Sequence, residues 1–447
     1  MKKIATCGSG AYGTVYLSSD GLAVKRNIVE KTVTGSSVIR ELDILMRIGK
    51  HPFIIDIKSI SFGNPFSEKL DRLKKNTKED NIFFLMDYAD YNCREYIQKC
   101  DPEKIKIMLC QLLLAVEYIH SKDVIHCDLK PNNLLVFTEP FRLVVTDFGL
   151  SQNCNSDLSE ISMTAFYRAP EVCLNKEYGK KADMWSVGCI AFEMVTRKHY
   201  VYNVKDRNSL IIAKIMENKK KDYCKNAILN ISKKSFVESF NSTTGSIEEY
   251  TDLVSKLLEV EPEKRLSATE ALEHPFFNGL RDYIKEVREL FPPKAIETPK
   301  VVIKRSVERE WLKEIIVNML KKKNLKLAAL FHAVDLFDRY MESKEPNTLS
   351  KKQVTELVYS FVYMMYKYFS ILNSCDSVEM VVGSIKDYEV LEKKLLKDMF
   401  NFSIYRETVY EKVKDKNPKE LLLKYIDLNE DLDMTLDQLI MCVSKNG

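Results

Sequence analysis

The chain has 447 residues, of which 45% are hydrophobic and 30% are charged, and its formal net charge is +4. This length exceeds that of an ordinary single domain, so we expect two domains, each with its own core. The small net charge argues against nucleic acid as a partner. No signal segment opens the chain and its eleven cysteines form no paired pattern, which predicts free thiols in a reducing compartment.

Glycine and proline divide the chain into two parts. Residues 1–300 hold 12 of the 14 glycines and 11 of the 13 prolines, which predicts strands, turns and loops there and an all-helical unit afterwards. In chain order we expect a strand, a glycine loop and a second strand, then a turn at Asp20-Gly21 followed by a further strand. A helix near Ser36 and strands at Phe53–Ile60 and Ile82–Met86 are expected next. A helical period dominates from Asp101 to about residue 277, so the first part is predicted to be α+β.

Residues 8–15 read Gly-Ser-Gly-Ala-Tyr-Gly-Thr-Val, a G-x-G-x-x-G-x-V pattern between the first two predicted strands. Glycine lets the backbone approach phosphate oxygens, although a flexible hairpin explains such a pattern equally well. A dinucleotide-binding turn requires a helix directly after the glycines, whereas here a strand follows that ends in Ala23-Val24-Lys25. A buried Lys25 would need an opposite charge, and Glu41 on the helix near Ser36 is the candidate.

Three further motifs follow in order: residues 126–133 (His-Cys-Asp-Leu-Lys-Pro-Asn-Asn), residues 147–149 (Asp-Phe-Gly) and residues 169–171 (Ala-Pro-Glu). Together with the glycine pattern they resemble the signature set of protein kinases. The resemblance covers residues 1 to about 277, and His274-Pro275-Phe276-Phe277 is similar to the end of that fold. It implies a two-lobed kinase fold, with a small lobe at 1–90 and a large lobe at 91–277, that uses ATP and Mg²⁺.

The resemblance gives each of these residues a task, because phosphoryl transfer depends mainly on positioning and charge neutralisation. Asp128 would accept or orient the proton of the substrate hydroxyl, Lys130 would stabilise the transferred phosphoryl group, and Asn133 and Asp147 would hold Mg²⁺. The nucleotide site would consist of Gly8, Ser9, Gly10, Ala11, Tyr12, Gly13, Val15, Ala23, Lys25, Glu41, Met86, Asp87, Ala89 and Leu135. Two structural roles follow as well: Asp183 would anchor the catalytic loop, and Arg265 would pair with Glu171.

Two segments resemble cyclin-dependent kinases in particular. Residues 36–41 are similar to the helix that contacts cyclin, and residues 164–171 are similar to the substrate-binding end of that family. This implies transfer to Ser or Thr and, as a further option, proline after the target, although Met163 stands where a smaller residue is usual. Tyr12 matches the inhibitory tyrosine of the family, while Ala11 replaces the neighbouring threonine.

The family clamps an activation-segment phosphate with three arginines, and this chain keeps one of them. Cys127 and Gln152 replace two, and Arg40 remains. A phosphate clamp needs clustered guanidinium groups. Ser159 lies where the phosphorylated residue would be, and we therefore hypothesise activity without phosphorylation of that segment.

Beyond a linker at 278–304, in which Arg281 to Leu290 is predicted to be helical, residues 305–447 predict a helical domain. Apolar residues at helical spacing form a stripe, which a generic helical bundle would also show: Leu327, Leu330, Phe331, Val334, Phe337 and Met341. Arg305, Trp311 and the segment 333–341 resemble the first two helices of a cyclin box. The resemblance implies an all-α domain with the following correspondences: Arg305 pairing Asp338, Lys367 with Glu392 binding the kinase helix, and Phe402 and Thr408 ending the fifth helix.

Such a fused domain implies an intramolecular contact, or one between two copies, from the region of Lys367 to the kinase helix around Ile39-Arg40. The extended linker would reach up to about 90 Å, which allows the contact within one chain. Two alternatives remain open: a pseudokinase scaffold, suggested only by Cys127, and a kinase with a docking tail unrelated to cyclin. No membrane segment is expected, because the apolar stretch Leu357 to Phe369 is shorter than the roughly 20 residues that span a bilayer. An intracellular location follows, with cytoplasm and nucleus undecided.

Overall fold

The computed structural model describes residues 1–10, 13–28, 34–62, 81–154, 163–231, 238, 240, 246–294, 300–303, 306–320, 327–342, 348–368, 422, 425 and 432–435. The N-terminal lobe is a five-stranded antiparallel sheet in the order β1-β2-β3-β5-β4, with one helix between β3 and β4. Its elements are β1 (Lys3–Gly10), β2 (Gly13–Ser18), β3 (Leu22–Ile28), α1 (Thr34–Ile48), β4 (Ser59–Phe62) and β5 (Asn81–Asp87). The predicted helix near Ser36 and the strand around Ile82–Met86 are confirmed.

Two glycines fix the geometry of this lobe. A Cβ at Gly13 would collide with the carbonyl oxygen of Arg26, so only glycine lets β2 pair so closely with β3. At the end of α1, Gly49 has φ +74° and its N–H donates to the carbonyl of Leu45 at 3.2 Å, which is a left-handed helix cap. The chain therefore leaves α1 in a fixed direction.

The predicted strand at Phe53–Ile60 is wrong over most of its length, because β4 begins only at Ser59. Phe53, Ile54 and Ile55 are buried, and the N–H of Ile55 donates to the carbonyl of Val145 in the other lobe at 2.9 Å. This run is apolar because it joins the two lobes, and it needs no strand to be buried.

The C-terminal lobe of the kinase part is mainly helical. The long helices α3 and α5 are almost entirely buried and pack on each other; α3 begins with Pro102 at its first position, where the missing N–H costs nothing. The elements are β6 (Tyr91–Asn92), α2 (Cys93–Ile97), α3 (Pro102–Ser121), β7 (Val124–Ile125), β8 (Leu134–Thr138), β9 (Phe141–Val145), β10 (Gln152–Asn153), α4 (Pro170–Cys173), α5 (Lys180–Thr196), α6 (Asn208–Lys220), α7 (Tyr223–Leu229), α8 (Ile247–Leu257) and α9 (Ala268–Leu272). Strands β6, β8 and β9 form a small sheet, and β7 pairs with β10.

The predicted helix inside the linker is confirmed as α10 (Arg281–Leu290), and it packs against α3. Arg288 donates to Glu117 at 2.7 and 2.9 Å. The ring of Phe291, just past the helix, lies 5.4 Å from that of His51. The first part of the linker is thus attached to both lobes of the kinase part.

In the C-terminal part the structure describes the bounds of three helices: α11 (Val307–Leu320), α12 (Leu327–Glu342) and α13 (Lys351–Tyr368). Helices α11 and α12 both pack against α13, and the apolar residues of α13 from Leu357 to Met365 are buried, as expected for a core helix. Among the helices that the structure describes, none has the length and apolarity to cross a membrane.

The prediction of an all-helical C-terminal part is wrong in one respect. Strand β11 (Lys300–Ile303) pairs antiparallel with β12 (Leu432–Thr435), within the segment 418–447 that was expected to be helical. The β-branched run Val301, Val302, Ile303 favours a strand. Its partner β12 lies far along the chain, and the sequence around β12 contains no comparable strand pattern. Within the described residues, the fold is therefore α+β in the kinase part, and three helices and this short ribbon lie beyond it.

Helix α13 also packs against α1 of the kinase part. The same continuous core includes Val38 and Leu42 of α1 and the buried face of α13. Helix α1 thus lies between the N-terminal sheet and the C-terminal helices.

Candidate active site

The centre of the site is a charged triad contributed by three elements. Lys25 on β3 donates from Nζ to both carboxylate oxygens of Glu41 on α1 at 2.7 Å, and it lies 3.3 Å from Oδ1 of Asp147. Burial alone would raise the pKa of Asp147, but Lys25 and His126 outweigh it and hold that pKa below its ordinary value. Asp147 is therefore an anion close to a fixed ammonium group.

Asp128 lies at the centre of a second cluster. Its carboxylate accepts hydrogen bonds from Lys130 Nζ at 2.6 Å, from the Thr164 hydroxyl at 2.6 Å and from Asn133 Nδ2 at 2.9 Å. The predicted catalytic pair, Asp128 and Lys130, is thus brought together, and Lys130 also donates to Thr164 at 3.1 Å. An acid held this way has a fixed orientation towards an incoming hydroxyl.

Asn133 and Asp147 provide the donor set that a hard divalent cation prefers. The Nδ2 group of Asn133 donates to Asp128, and no described residue donates to its amide oxygen. Asp147, with φ +67°, carries the ionised carboxylate. One amide oxygen and one carboxylate suit Mg²⁺, which keeps several waters and phosphate oxygens as its other ligands.

The glycine stretch forms a tight hairpin between β1 and β2. Strand β1 continues through Gly8, Ser9 and Gly10, and Gly10 pairs with Gly13. Val15 on β2 pairs with Gly8 on one side and with Lys25 on the other. Ala11 and Tyr12, at the tip, lie outside the described residues.

The residues expected around adenine lie on both lobes. Ala23 on β3 pairs with Met86 on β5, and both are buried. Asp87 ends β5, Ala89 follows it with partial exposure, and Leu135 lies on β8 of the other lobe, also partly buried. The cleft between the lobes is therefore bordered by the predicted set.

Two buried carboxylates hold the loops around this site, and both predictions about them are confirmed. Asp183 accepts from the backbone N–H groups of His126 and Cys127 at 2.8 and 3.0 Å. Arg265, which is fully buried, donates to both oxygens of Glu171 at 2.8 and 3.0 Å. The catalytic loop and the substrate segment are thus fixed to the core of the large lobe.

The residues that replace the phosphate clamp have other surroundings. Cys127 is buried with φ +66°, and burial raises the pKa of its thiol well above the ordinary value. Gln152 lies on β10 opposite Ile125, and its Oε1 has no hydrogen-bond partner among the described residues. Arg40 donates to the carbonyl of Gly149 at 3.3 Å, and Ser159 lies outside the described residues.

Three functional contacts were not predicted. Thr164 bonds both Asp128 and Lys130, and its place before the Ala-Pro-Glu motif was the available signal. Arg94 on α2 contacts the catalytic loop and the substrate segment together. In the C-terminal part Asp338 pairs with Arg309, four residues after Arg305 in the sequence; Arg305 lies outside the described residues.

This arrangement suits a phosphotransferase: it has a lysine–glutamate pair, an aspartate and an asparagine of the kind that Mg²⁺ prefers, and an acid near the expected place of an acceptor hydroxyl. The family model "Protein kinase domain" matches residues 1–277. The chain therefore belongs to the protein kinase family, which implies the use of ATP and a divalent metal ion, and it is a serine/threonine kinase.

Curated relatives agree with this assignment. The chain is 34% identical to "Cyclin-dependent kinase 11" of Dictyostelium discoideum over 300 residues, which cover 62% of this chain and 80% of that protein. It is 31% identical to "Mitogen-activated protein kinase 2" of Arabidopsis thaliana, over 62% of this chain and 77% of that protein. "Cyclin-dependent kinase G-2" of Oryza sativa subsp. indica is 32% identical over 62% of this chain and 41% of its own length. These relatives place the chain among kinases of the cyclin-dependent and mitogen-activated type.

Proposed function

We propose that this kinase transfers the γ-phosphate of ATP to Ser or Thr hydroxyls of proteins while its own C-terminal domain, which resembles a cyclin box, holds α1 in the productive position. Asn133 and Asp147 would hold Mg²⁺, which supplies charge neutralisation on the phosphates. Lys25 would pair with the nucleotide phosphates beneath the glycine hairpin, and Asp128 would orient the acceptor hydroxyl. Lys130 would stabilise the charge that develops during transfer.

The observation that carries the proposal is the position of α1. Glu41 reaches Lys25 at 2.7 Å, and α1 packs against α13 of the C-terminal part. A buried ion pair between two separate elements is formed only when the helix is held in place. Ile39 lies on α1 and Lys367 lies on α13. Their side chains are not among those that the structure describes, so a contact between these two regions stays a prediction.

The buried pair of Arg309 and Asp338 supports the comparison with a cyclin box. Tyr425 adds a hydroxyl donor to Asp338 at 3.2 Å, and the carbonyl of Tyr425 accepts from Arg309 at 3.1 Å. An arginine and an aspartate of α11 and α12 are therefore paired, while the pairing predicted for Arg305 stays a prediction. Glu392, Phe402 and Thr408 lie outside the described residues.

Proline after the target residue is favoured by the substrate segment. The carbonyl of Met163 accepts two hydrogen bonds from Arg168, at 3.1 and 2.7 Å, so it is not available to a backbone N–H of a substrate. A proline has no N–H to satisfy and loses nothing at that position. The Met163 side chain is 2% exposed and is directed into the core. Its size, larger than is usual at this position, therefore does not argue against a proline in the substrate.

The scaffold hypothesis has little left to support it. It depended on Cys127, whose backbone N–H donates to Asp183 and whose side chain is buried. The charged groups of the site are all in place around it. Stabilisation of the full chain by Mg-ATP, abolished in Asp147→Asn, is the expected result, and its absence in the natural sequence would favour the scaffold.

The decisive experiment is a truncation placed by the structure. Removing residues 295–447 keeps α10 and Phe291, which attach to α3 and His51, whereas a cut at residue 277 would damage the kinase lobe itself. We expect the truncated protein to fold but to lose about tenfold or more in kcat/KM, since Glu41 would no longer be held against Lys25. Undiminished activity would instead support a docking tail unrelated to cyclin.

A peptide pair tests the acceptor preference in the same preparation. The peptides differ only in having proline or alanine after the target serine, and the full chain should prefer the proline peptide by about tenfold. An equal rate on both would show that the Met163 carbonyl does not select substrates. A point variant, Asp338→Asn, should reproduce part of the truncation effect because it leaves Arg309 with an unpaired buried charge.

A further inference from the structure

Arg94 contacts both the catalytic loop and the substrate segment, which flank the expected substrate groove. From its place on α2, Nε donates to Oδ1 of Asn132 in the catalytic loop at 2.9 Å. Nη2 donates to the hydroxyl of Tyr167 in the substrate segment at 2.7 Å, and Nη1 lies 2.9 Å from Oε1 of Glu193 on α5. All three nitrogens of the guanidinium group are therefore engaged, and its partners lie within a few residues of Asn133 and Thr164.

Glu193 is an acidic group placed at this groove. Its side chain is 4% exposed, and Tyr167 donates to its Oε2 at 2.6 Å while His199 Nδ1 lies 3.2 Å from the same oxygen. Burial alone would raise the pKa of Glu193, but His199, Tyr167 and Arg94 hold it below its ordinary value. The groove thus contains a buried carboxylate anion whose main countercharge comes from Arg94.

The Arg94 side chain is 35% exposed, whereas that of Glu193 is 4% exposed, so the guanidinium group lies nearer to solvent than the carboxylate. A basic side chain entering from solvent would meet the guanidinium group before it could reach Glu193. Without Arg94, the carboxylate, the Tyr167 hydroxyl and the Asn132 amide oxygen would form an open set of acceptors, which suits an ammonium or guanidinium group.

We propose that Arg94 occupies the place that a basic substrate side chain would otherwise take against Glu193, so that the kinase disfavours Lys and Arg near the target Ser or Thr. Arg94 is then a specificity-determining residue: it excludes one class of substrate by like charge and by filling the acceptor set. The inference goes beyond the proposed activation by the C-terminal domain. It concerns which substrates are selected and not how fast the enzyme works.

The test is a set of peptides with one target serine that differ at a single position within three residues of it, where they carry alanine, lysine or glutamate. The ratio of kcat/KM for lysine and alanine peptides is measured in the full-length natural sequence, in Arg94→Ala and in Arg94→Ala/Glu193→Gln. Because each ratio is taken within one protein, changes in overall rate cancel. The matched control is Arg281→Ala, since Arg281 is also 35% exposed and pairs with Glu273 at 3.0 Å, on α10.

For at least one position we expect the lysine-to-alanine ratio to rise about tenfold in Arg94→Ala, mainly through KM, as a new charge-assisted hydrogen bond should produce. The gain should disappear in the double variant and be absent in Arg281→Ala. A ratio that stays within about twofold of the natural protein at every position would overturn the proposal. So would a fall in kcat with no change in the ratio, which is what a merely structural role predicts.

A second variant keeps the proposal testable if Arg94→Ala does not fold. Glu193→Gln keeps the size of the side chain but leaves the Arg94 cation without its countercharge. Its single amide oxygen can accept from only one of the two donors, Arg94 or Tyr167, that the carboxylate satisfies. The ratio for glutamate and alanine peptides should then rise by about fivefold at the same position. An unchanged ratio in a folded, active Glu193→Gln protein would refute the assignment.

Discussion

Protonation of one buried histidine should limit the stability of the kinase part at acid pH. His51 follows α1 directly, is 6% exposed, stacks on Tyr118 with ring centroids 4.6 Å apart and accepts the N–H of Phe53 on Nδ1 at 3.3 Å. Burial lowers its pKa from 6.5 to about 4. The folded state therefore holds the neutral ring over a range in which the unfolded chain takes up a proton.

The sign and size of the effect follow from this difference. Above pH 6.5 the ring is neutral in both states, and His51 does not lower the free energy of unfolding. As the pH falls from there towards about 4, only the unfolded chain binds the proton. The free energy of unfolding should decrease by about 3 kcal/mol across that window, and His51 should contribute no further decrease below it.

The two tryptophans of the chain allow a specific assay. Trp185 lies fully buried in the kinase part, so fluorescence of a Trp311→Phe protein in urea reports on that part alone. The unfolding free energy is measured at several pH values in this background, with and without His51→Phe. The phenylalanine keeps a ring on Tyr118 and loses the proton site, so it should lower stability by a constant amount and remove about 3 kcal/mol of the pH dependence. Equal slopes in the two proteins would refute the reasoning.

Three further predictions concern the buried ion pairs. Glu41→Gln should lower kcat by about 10- to 100-fold with little loss of stability, because Lys25 retains Asp147 as a partner. Steady-state kinetics test the loss of kcat, and a melting curve tests the stability. A kcat within about twofold of the parent would contradict the role of Glu41 in positioning Lys25. Glu171→Gln leaves the fully buried Arg265 unpaired and should cost about 3 kcal/mol in the Trp185 transition, against less than about 1 kcal/mol if the pair contributes little. Asp338→Asn should destabilise the C-terminal part by a similar amount, about 3 kcal/mol, seen in the Trp311 transition and absent from the Trp185 transition if the two parts unfold separately.

The sequence was a good guide to groups that lie at fixed distances within a motif. Asp128, Asn133 and Asp147 could be located because the short segments between β7 and β8 and directly after β9 leave few other places for them. The partnership of Glu41 with Lys25 could be expected from the cost of an unpaired buried ammonium group.

Other features depend on contacts that no local pattern encodes. Arg94 lies on the five-residue helix α2, and its three partners come from three distant segments, so nothing in its neighbourhood distinguishes it from a solvated arginine. The predicted partner of Asp338 is Arg305, whereas Arg309, four residues further along the chain, pairs with it. The sequence spacing alone does not distinguish the two arginines. The pairing of β11 with β12 is equally non-local.

The carbonyl of Lys294 accepts from Nζ of Lys122 at 2.8 Å, which fixes the last described residue of the kinase part at the end of α3. From there the chain has only the segment up to Lys300, where β11 begins, and that many residues span at most about 20 Å, far less than the whole linker could. The helices of the C-terminal part are therefore tethered close to α1. In the proposed activation they act as a ligand of α1 at roughly millimolar local concentration. A separate protein that binds the same face of α1 would have to compete with α13, which is covalently linked to the kinase part.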